Sequence, residues 1–335
     1  MLRRFASSIA LTVIAIVGVG VMLGPGAAIT TLVLIAIEVA FSFDNAVINA
    51  KILERMSKLW RRLFLTVGML IAIVGMRLFF PIVIVSVTAN LGWQRVIDLA
   101  LNQPQQYAHY LEAAHTSISA FGGGFLLVLV LIFFLDHERE IVWLDRIERP
   151  LQRLGGAFWI GPVVGSVAII ITSVLSQDSS TVLRSGLSGV FLFTLIHLAI
   201  TGLDKLTGAS KAGNFVGWGA ALAFIYLEVL DASFSFDSVL GAFAITNIVP
   251  IIAIGLGVGA FWVRSLTLYI VDEGTLAEYR YLEHGAHYAI LVLAVALLVS
   301  IFVKIPDAVT GLAGLGVIGA SIIASREANV YHGRR

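Results

Sequence analysis

Two similar acidic segments lie inside long apolar stretches of this 335-residue chain. The first runs from Glu38 to Asn45, the second from Glu228 to Ser238, and both contain the sequence Phe-Ser-Phe-Asp. An ionised carboxylate at membrane depth is costly, so acidic residues found there usually face a partner or a substrate. Because the acids occur twice in the same local pattern, the sequence predicts a binding site for a cation.

The two segments offer only oxygen ligands, namely carboxylates, an amide and hydroxyl groups. Such ligands suit Mg²⁺, Ca²⁺ or Mn²⁺, whereas copper and zinc favour sulfur and imidazole. One divalent ion cannot offset four buried carboxylates in a low dielectric, so protons or further cations must also bind. Proton exchange is therefore a natural coupling reaction, and Arg77 and Arg264 are predicted to compensate part of the charge. The four carboxylates are those of Glu38, Asp44, Asp231 and Asp237.

Helical periodicity gives each segment one polar stripe. At 100° per residue, Glu38, Ser42, Asn45 and Asn49 fall within about 60° of one another. Asp231, Ser235 and Ser238 repeat that pattern, and Glu228 lies beside them. The remaining acids, Asp44 and Asp237, fall about 120° away from their stripes. Either they face a different neighbour, or the helix is unwound near Phe-Ser-Phe; the sequence leaves both interpretations open.

Composition indicates a polytopic membrane protein. The chain is 59% hydrophobic and 13% charged, against about 25% charged residues in soluble domains. The predicted fold is an all-α transmembrane helical bundle in the lipid bilayer. A net charge of +1 gives no indication of nucleic-acid binding, and the absence of cysteine excludes disulfides and thiolate metal sites.

Ten membrane spans are predicted, with both termini in the cytoplasm and the protein in the inner (plasma) membrane. This topology leaves 17 Lys and Arg in cytoplasmic segments and 3 outside, as the positive-inside rule requires. The first span is expected to be a retained helix rather than a cleaved signal peptide. The predicted spans are 6–24, 27–50, 63–88, 118–135, 157–175, 185–201, 215–240, 246–270, 286–303 and 307–324.

The chain, read as one transmembrane domain over 1–335, contains two related units. Residues 27–135 and 215–303 each hold an acidic segment, then a membrane arginine, then a Tyr-Leu-Glu sequence close to a histidine. Because each unit has three spans, the second is expected to be inverted relative to the first. Inverted repeats with a polar site near the midplane are typical of secondary transporters. Residues 136–214 form the predicted connecting region, and 304–335 the last span and tail.

The motifs resemble those of the TerC family of integral membrane proteins, in the LysE-type transporter superfamily. The resemblance implies Mn²⁺ export or a related divalent-cation function, historically linked to tellurite resistance. It covers both repeat units, and the chain departs from the family in 89–117 and in two extra spans between the units. The matching motifs are Glu38-x5-Asp44-Asn45, Glu228-x2-Asp231-x5-Asp237-Ser238, Phe-Ala-Ile-Thr at 243–246, Arg264 and Tyr281-Leu282-x2-Gly285. The implied metal-site residues are Glu38, Asp44, Asn45, Asp231, Asp237 and Ser238, with Glu228 beside them.

The leading hypothesis is a secondary transporter for a divalent cation, with Mn²⁺ efflux against protons, and not an enzyme. Ca²⁺ or Mg²⁺ are alternative substrates, and a homo-oligomer is compatible with the sequence. One alternative function is a non-transporting membrane partner in metal or tellurite stress. Another is an intramembrane aspartyl protease with Asp44 and Asp237 as its dyad, although the Gly-x-Gly-Asp context of such enzymes is missing. The chain also lacks an ATP-binding Gly-x4-Gly-Lys-Ser/Thr motif.

Overall fold

The protein is an all-α bundle of long apolar helices. A computed structural model describes residues 2–207, 215 and 217–332, and these contain no β-strand. The helices are α1 Leu2–Leu23, α2 Pro25–Phe41, α3 Phe43–Glu54, α4 Lys58–Leu63, α5 Phe80–Thr88, α6 Trp93–Asn102, α7 Pro104–Ala113, α8 His115–Leu135, α9 Asp145–Leu154, α10 Ile160–Leu175, α11 Ser179–Thr207, α12 Trp218–Ile245, α13 Val249–Asp272, α14 Thr275–Glu278, α15 Leu282–Ser300 and α16 Asp307–His332.

The membrane-spanning character of the chain is confirmed. Within the described ranges, 8 helices are long and apolar enough to cross a bilayer, and a bent pair brings the number to 9. An apolar helix lies at each of the ten predicted spans. The predicted fifth span, α10, has 16 residues, about 24 Å of helix, and is therefore short for a hydrocarbon core of about 30 Å.

The first acidic segment lies at a break between two helices. Helix α2 ends at Phe41 and α3 begins at Phe43, and the two axes differ in direction by 54°. Ser42, between them, has φ −104° and ψ 20°, and its amide N–H donates to the carbonyl oxygen of Glu38. The break brings Asp44 into the first turn of α3, where the positive end of the helix dipole favours a carboxylate.

The following span is also irregular. Between α4 and α5 the backbone forms π-helical turns over Phe64–Gly68 and Ile71–Phe79, and Arg77 lies in the second of them. Such wide turns are rare and are often found at functional sites. The second acidic segment differs, because the backbone of α12 continues as one helix through residues 234–238.

The largest hydrophobic core joins helices from both predicted repeat units. Phe125 of α8, Leu227 and Leu230 of α12, and Ile290 of α15 are all buried in it. Helix α1 packs against α13, where the indole Nε1 of Trp262 donates to Thr12 Oγ1 at 2.9 Å. The polar 89–117 segment forms the short helices α6 and α7, whose apolar residues pack on α5 in a separate cluster.

Candidate cation site

Asp231 of α12 lies where the two acidic segments meet. Its Oδ1 accepts a hydrogen bond from the side-chain amide of Asn45, at 3.0 Å. Its Oδ2 lies 3.6 Å from Arg264 Nη2 and 3.9 Å from Arg77 Nη1. One carboxylate of the second segment therefore contacts the first segment and both membrane arginines.

Each arginine also binds the glutamate of its own repeat unit. Arg77 Nη2 donates to Glu38 Oε1, and its Nη1 donates to the carbonyl of Ala72 at 2.8 Å. Arg264 Nη2 lies 3.1 Å from Glu228 Oε2. The two predicted repeat units thus contribute one glutamate–arginine pair each, and Asp231 lies within 4 Å of both arginines.

Arg264 has a second partner on the opposite repeat unit. Its Nη1 donates to the carbonyl oxygen of Phe64 at 2.7 Å, and its guanidinium lies 4.1 Å from the centre of the Phe64 ring. This carbonyl belongs to the first π-helical turn, so the irregular backbone itself supplies the acceptor for Arg264. This role of Phe64 could not be predicted from the residue type, because a backbone carbonyl becomes available through local geometry.

Two glycines make room for these ion pairs across the repeat boundary. A methyl group at Gly68 would collide with Arg264 Nη1 and Glu228 Oε1, and one at Gly259 would lie 2.5 Å from Glu38 Cβ. Each glycine therefore accommodates the glutamate of the opposite unit. Sequence reasoning missed both residues, because 32 glycines are present and nothing in the sequence distinguishes these two.

The cluster is almost completely shielded from solvent, and several of its oxygens lack a hydrogen bond. Glu38, Asn45 and Arg264 are each 2% exposed, and Asp231 is 5% exposed. Among the described side chains, Glu38 Oε2, Asn45 Oδ1, Asn49 Oδ1 and Asp231 Oδ2 are buried acceptors without a hydrogen-bond partner. Buried polar atoms are nearly always satisfied, so these oxygens are candidate ligands for a cation.

A cavity of about 980 Å³ leads from the protein surface to the edge of this cluster. Asp44 and Ser42 line its inner part together with Ser238. Its outer part is lined by Glu112 and Lys304, an exposed ion pair between α7 and the loop after α15. Asp44 is therefore the acid of the first segment that faces the water-accessible space, while the backbone N–H of Asn45 donates to its Oδ1 at 2.8 Å.

The predicted site residues thus fall into two groups. The structure brings Glu38, Asn45, Glu228 and Asp231 together with both arginines, and it exposes Asp44 and Ser238 to the cavity. The hydroxyl of Ser238 donates to the Ser235 carbonyl at 2.9 Å. The side chain of Asp237 lies outside the described residues. In the part of the chain that is described, no three Asp, Glu or His side chains form a ready-made metal site.

Comparison with known families gives one match. Residues 43–332 match the family described as "Protein of unknown function (DUF475)". The chain belongs to the DUF475 family. The match includes Asp44, Asn45, both membrane arginines and the whole second segment, and it begins after Glu38. No curated protein and no solved structure matches the chain.

Proposed function

We propose that this member of the DUF475 family is a secondary transporter that exports a divalent cation, with Mn²⁺ as the favoured substrate and protons as the coupling ion. One observation carries the proposal: in the buried interior of the bundle, Asp231 is shared by Asn45, Arg77 and Arg264, which come from both predicted repeat units. A site built from both halves of an inverted repeat is the arrangement on which alternating access depends.

The arginines give the site a substrate-free form. In that form the guanidinium groups of Arg77 and Arg264 occupy the carboxylates that a metal ion would need. A cation entering the cluster competes with them for Glu38, Asp231 and Glu228, and the unpartnered oxygens of Glu38, Asn45 and Asp231 become its first ligands. Departure of the cation lets the arginines return, so neither state leaves bare charge in a low-dielectric interior.

Charge balance supports coupling to protons. Among the described side chains, full ionisation of Glu38, Asp44, Glu228 and Asp231 would leave a net charge of −2 after the two arginines are counted. A divalent ion neutralises that charge, and in its absence two protons do the same. Exchange of one Mn²⁺ for two protons therefore keeps the buried cluster near neutrality in both states.

The cavity suggests the direction of release. Lys and Arg are concentrated in the segments predicted to be cytoplasmic, so the cavity mouth at Glu112 and Lys304 is predicted to face the outside. Asp44 on the cavity wall would be the last carboxylate that an exported ion contacts. Both the oxygen ligands and the resemblance to the TerC family favour Mn²⁺ over a softer metal.

Flux measurements in proteoliposomes test this function. Purified protein should carry Mn²⁺ down an imposed gradient into the lumen. Protons should leave in exchange, so the lumen should become more alkaline. Asp44→Asn and Asp231→Asn should each lower the flux at least about tenfold, equivalent to losing about 1.4 kcal/mol of cation stabilisation. Asp98→Asn is the matched control, because Asp98 is an exposed acid paired with Arg95 on α6.

Two results would contradict the proposal. Wild-type protein that moves no divalent cation would end it, provided that the protein is folded and monodisperse. Equal flux in wild type, Asp44→Asn and Asp231→Asn would show that any transport bypasses the cluster.

A further inference from the structure

The short helix α9 lies outside the proposed transport site. It follows α8, which is long and apolar enough to cross a membrane, and precedes the apolar helix α10. We therefore expect α9 at the level of the membrane surface. Positive-inside counting predicts that this surface is cytoplasmic. Its composition, with three arginines in ten residues, differs from that of every neighbouring helix.

Helical periodicity divides α9 into three sectors. Measured from Asp145, the side chains of Leu151, Glu148 and Gln152 point to about 240–340°, and these are the buried and half-buried ones. Ile147 and Leu154 point to about 180–200° and are 49% and 63% exposed. The three arginines occupy the remaining arc of about 40–100° and are all exposed. They are Arg146, Arg149 and Arg153.

The buried sector fixes the rotation of α9 about its axis. Glu148 is 0% exposed, and its Oε2 lies 3.1 Å from Arg139 Nη2 and 3.3 Å from His284 Nε2. Tyr288 of α15 donates to Glu148 Oε1 at 3.3 Å. Burial alone would raise the pKa of Glu148, but the hydrogen bonds from His284 and Leu144 and the charge of Arg139 outweigh it and lower that pKa. The carboxylate therefore holds α9 in one orientation.

Two more exposed apolar residues follow α9 along the chain. Phe158 and Trp159, just before α10, are 69% and 55% exposed. Aromatic residues at this level are typical of the membrane–water interface. An exposed apolar sector bordered by basic residues is the pattern of a helix that lies in the interface of an anionic bilayer.

We propose that α9 binds the headgroups of anionic phospholipids through Arg146, Arg149 and Arg153, with Ile147 and Leu154 inserted among the acyl chains. Arg149 Nε lies 3.0 Å from Asp145 Oδ2, and both side chains are more than 60% exposed. With one acid beside three arginines, the basic sector keeps a net positive charge. Anionic lipid is the occupant that matches both sectors, because the same molecule carries a negative headgroup and apolar chains.

Lipid retention tests the electrostatic part of the proposal. Full-length protein in detergent is titrated with phosphatidylglycerol or phosphatidylcholine, and bound lipids are counted by native mass spectrometry. The triple variant Arg146→Gln, Arg149→Gln, Arg153→Gln should bind phosphatidylglycerol at least about tenfold more weakly, since each surface arginine contributes appreciably to anionic-lipid binding. The control double variant, Arg95→Gln, Arg184→Gln, removes positive charge from the predicted opposite face and should leave this affinity unchanged.

Depth measurement tests the orientation. The chain has no cysteine, so Leu154→Cys and Gln152→Cys can each carry a single fluorophore in nanodiscs that contain brominated lipids. We expect strong quenching at position 154 and weak quenching at 152. The proposal would be overturned if the triple variant and wild type bound phosphatidylglycerol with equal affinity, or if wild type bound both lipids equally. Equal quenching at the two positions would also overturn it. These results are independent of Mn²⁺ flux.

Discussion

The two acidic segments share the sequence Phe-Ser-Phe-Asp, yet their backbones differ. The first is broken at Ser42 by a 54° bend, whereas the second continues through one helix, α12. The arginines differ in the same way, because Arg77 lies in a π-helical turn and Arg264 in the regular helix α13. The irregular backbone is thus concentrated in the first repeat unit. The comparison indicates that two nearly identical motifs are held by different backbones, irregular in the first predicted unit and regular in the second.

The largest effect is expected from removing the arginine of the second predicted unit. Arg264→Met leaves Glu228 buried without its partner, which typically costs about 3–5 kcal/mol of unfolding free energy. The double variant Arg264→Met, Glu228→Met should recover most of that loss, since no bare charge remains. Denaturant titration of the purified variants measures the unfolding free energy of each. An Arg264→Met protein as stable as wild type would show that the pair is not buried as described.

A proline scan tests the difference in backbone directly. Phe43→Pro falls at the first residue of α3, where the lost N–H costs little, although a following proline disfavours the ψ of 20° at Ser42. Phe236→Pro falls inside α12, where it removes a helical hydrogen bond and clashes with the preceding turn. The two variants are matched, because each replaces the second phenylalanine of a Phe-Ser-Phe-Asp motif. We expect Phe236→Pro to be less stable than Phe43→Pro by about 3 kcal/mol. Equal stability of the two would mean that the helix break is absent or is shared by both segments.

Much of this architecture could be predicted from the sequence. Apolar runs located the long helices, although 8 or 9 of the described helices, rather than ten, are long and apolar enough to cross a bilayer. The repeated acids identified Glu38, Asn45 and Asp231 as neighbours. The choice between a broken and a continuous motif helix could not be predicted, because Ser42 and Ser235 lie in nearly identical local sequences. What distinguishes them is tertiary packing, which overrides local propensity. The same holds for Gly68 and Gly259, whose importance depends on which side chain approaches from another helix.

The glycines provide a milder test of the contact between the two halves. Gly68→Ala should displace the Arg264–Glu228 pair, and Gly259→Ala should displace Glu38, each at a cost of about 1–3 kcal/mol from overpacking. Gly316→Ala on α16 is the control, because a methyl group there meets nothing within 4 Å. Its stability should equal or exceed that of wild type. If all three alanine variants behaved alike, the close approach at the repeat boundary would be ruled out.

The smallest effect is expected at the surface contact between the repeats. Lys51 of α3 and Glu283 of α15 form an ion pair at 2.9 Å, with the lysine side chain 49% exposed. Solvent screens such pairs, so Lys51→Met should change the unfolding free energy by less than about 1 kcal/mol. Thermal unfolding in detergent measures this, and a loss as large as that of Arg264→Met would show that the buried cluster is not what joins the halves.

The central claim is that both repeat units supply ligands to one cation. Equilibrium binding of Mn²⁺ to the purified full-length protein, followed by the electron paramagnetic resonance signal of the free ion, tests it most directly. The account predicts a single site per chain that is lost on either Glu38→Gln or Asp231→Asn, although these acids belong to different predicted units. Binding that each variant retains in full, or two independent sites of which each variant removes one, would contradict it.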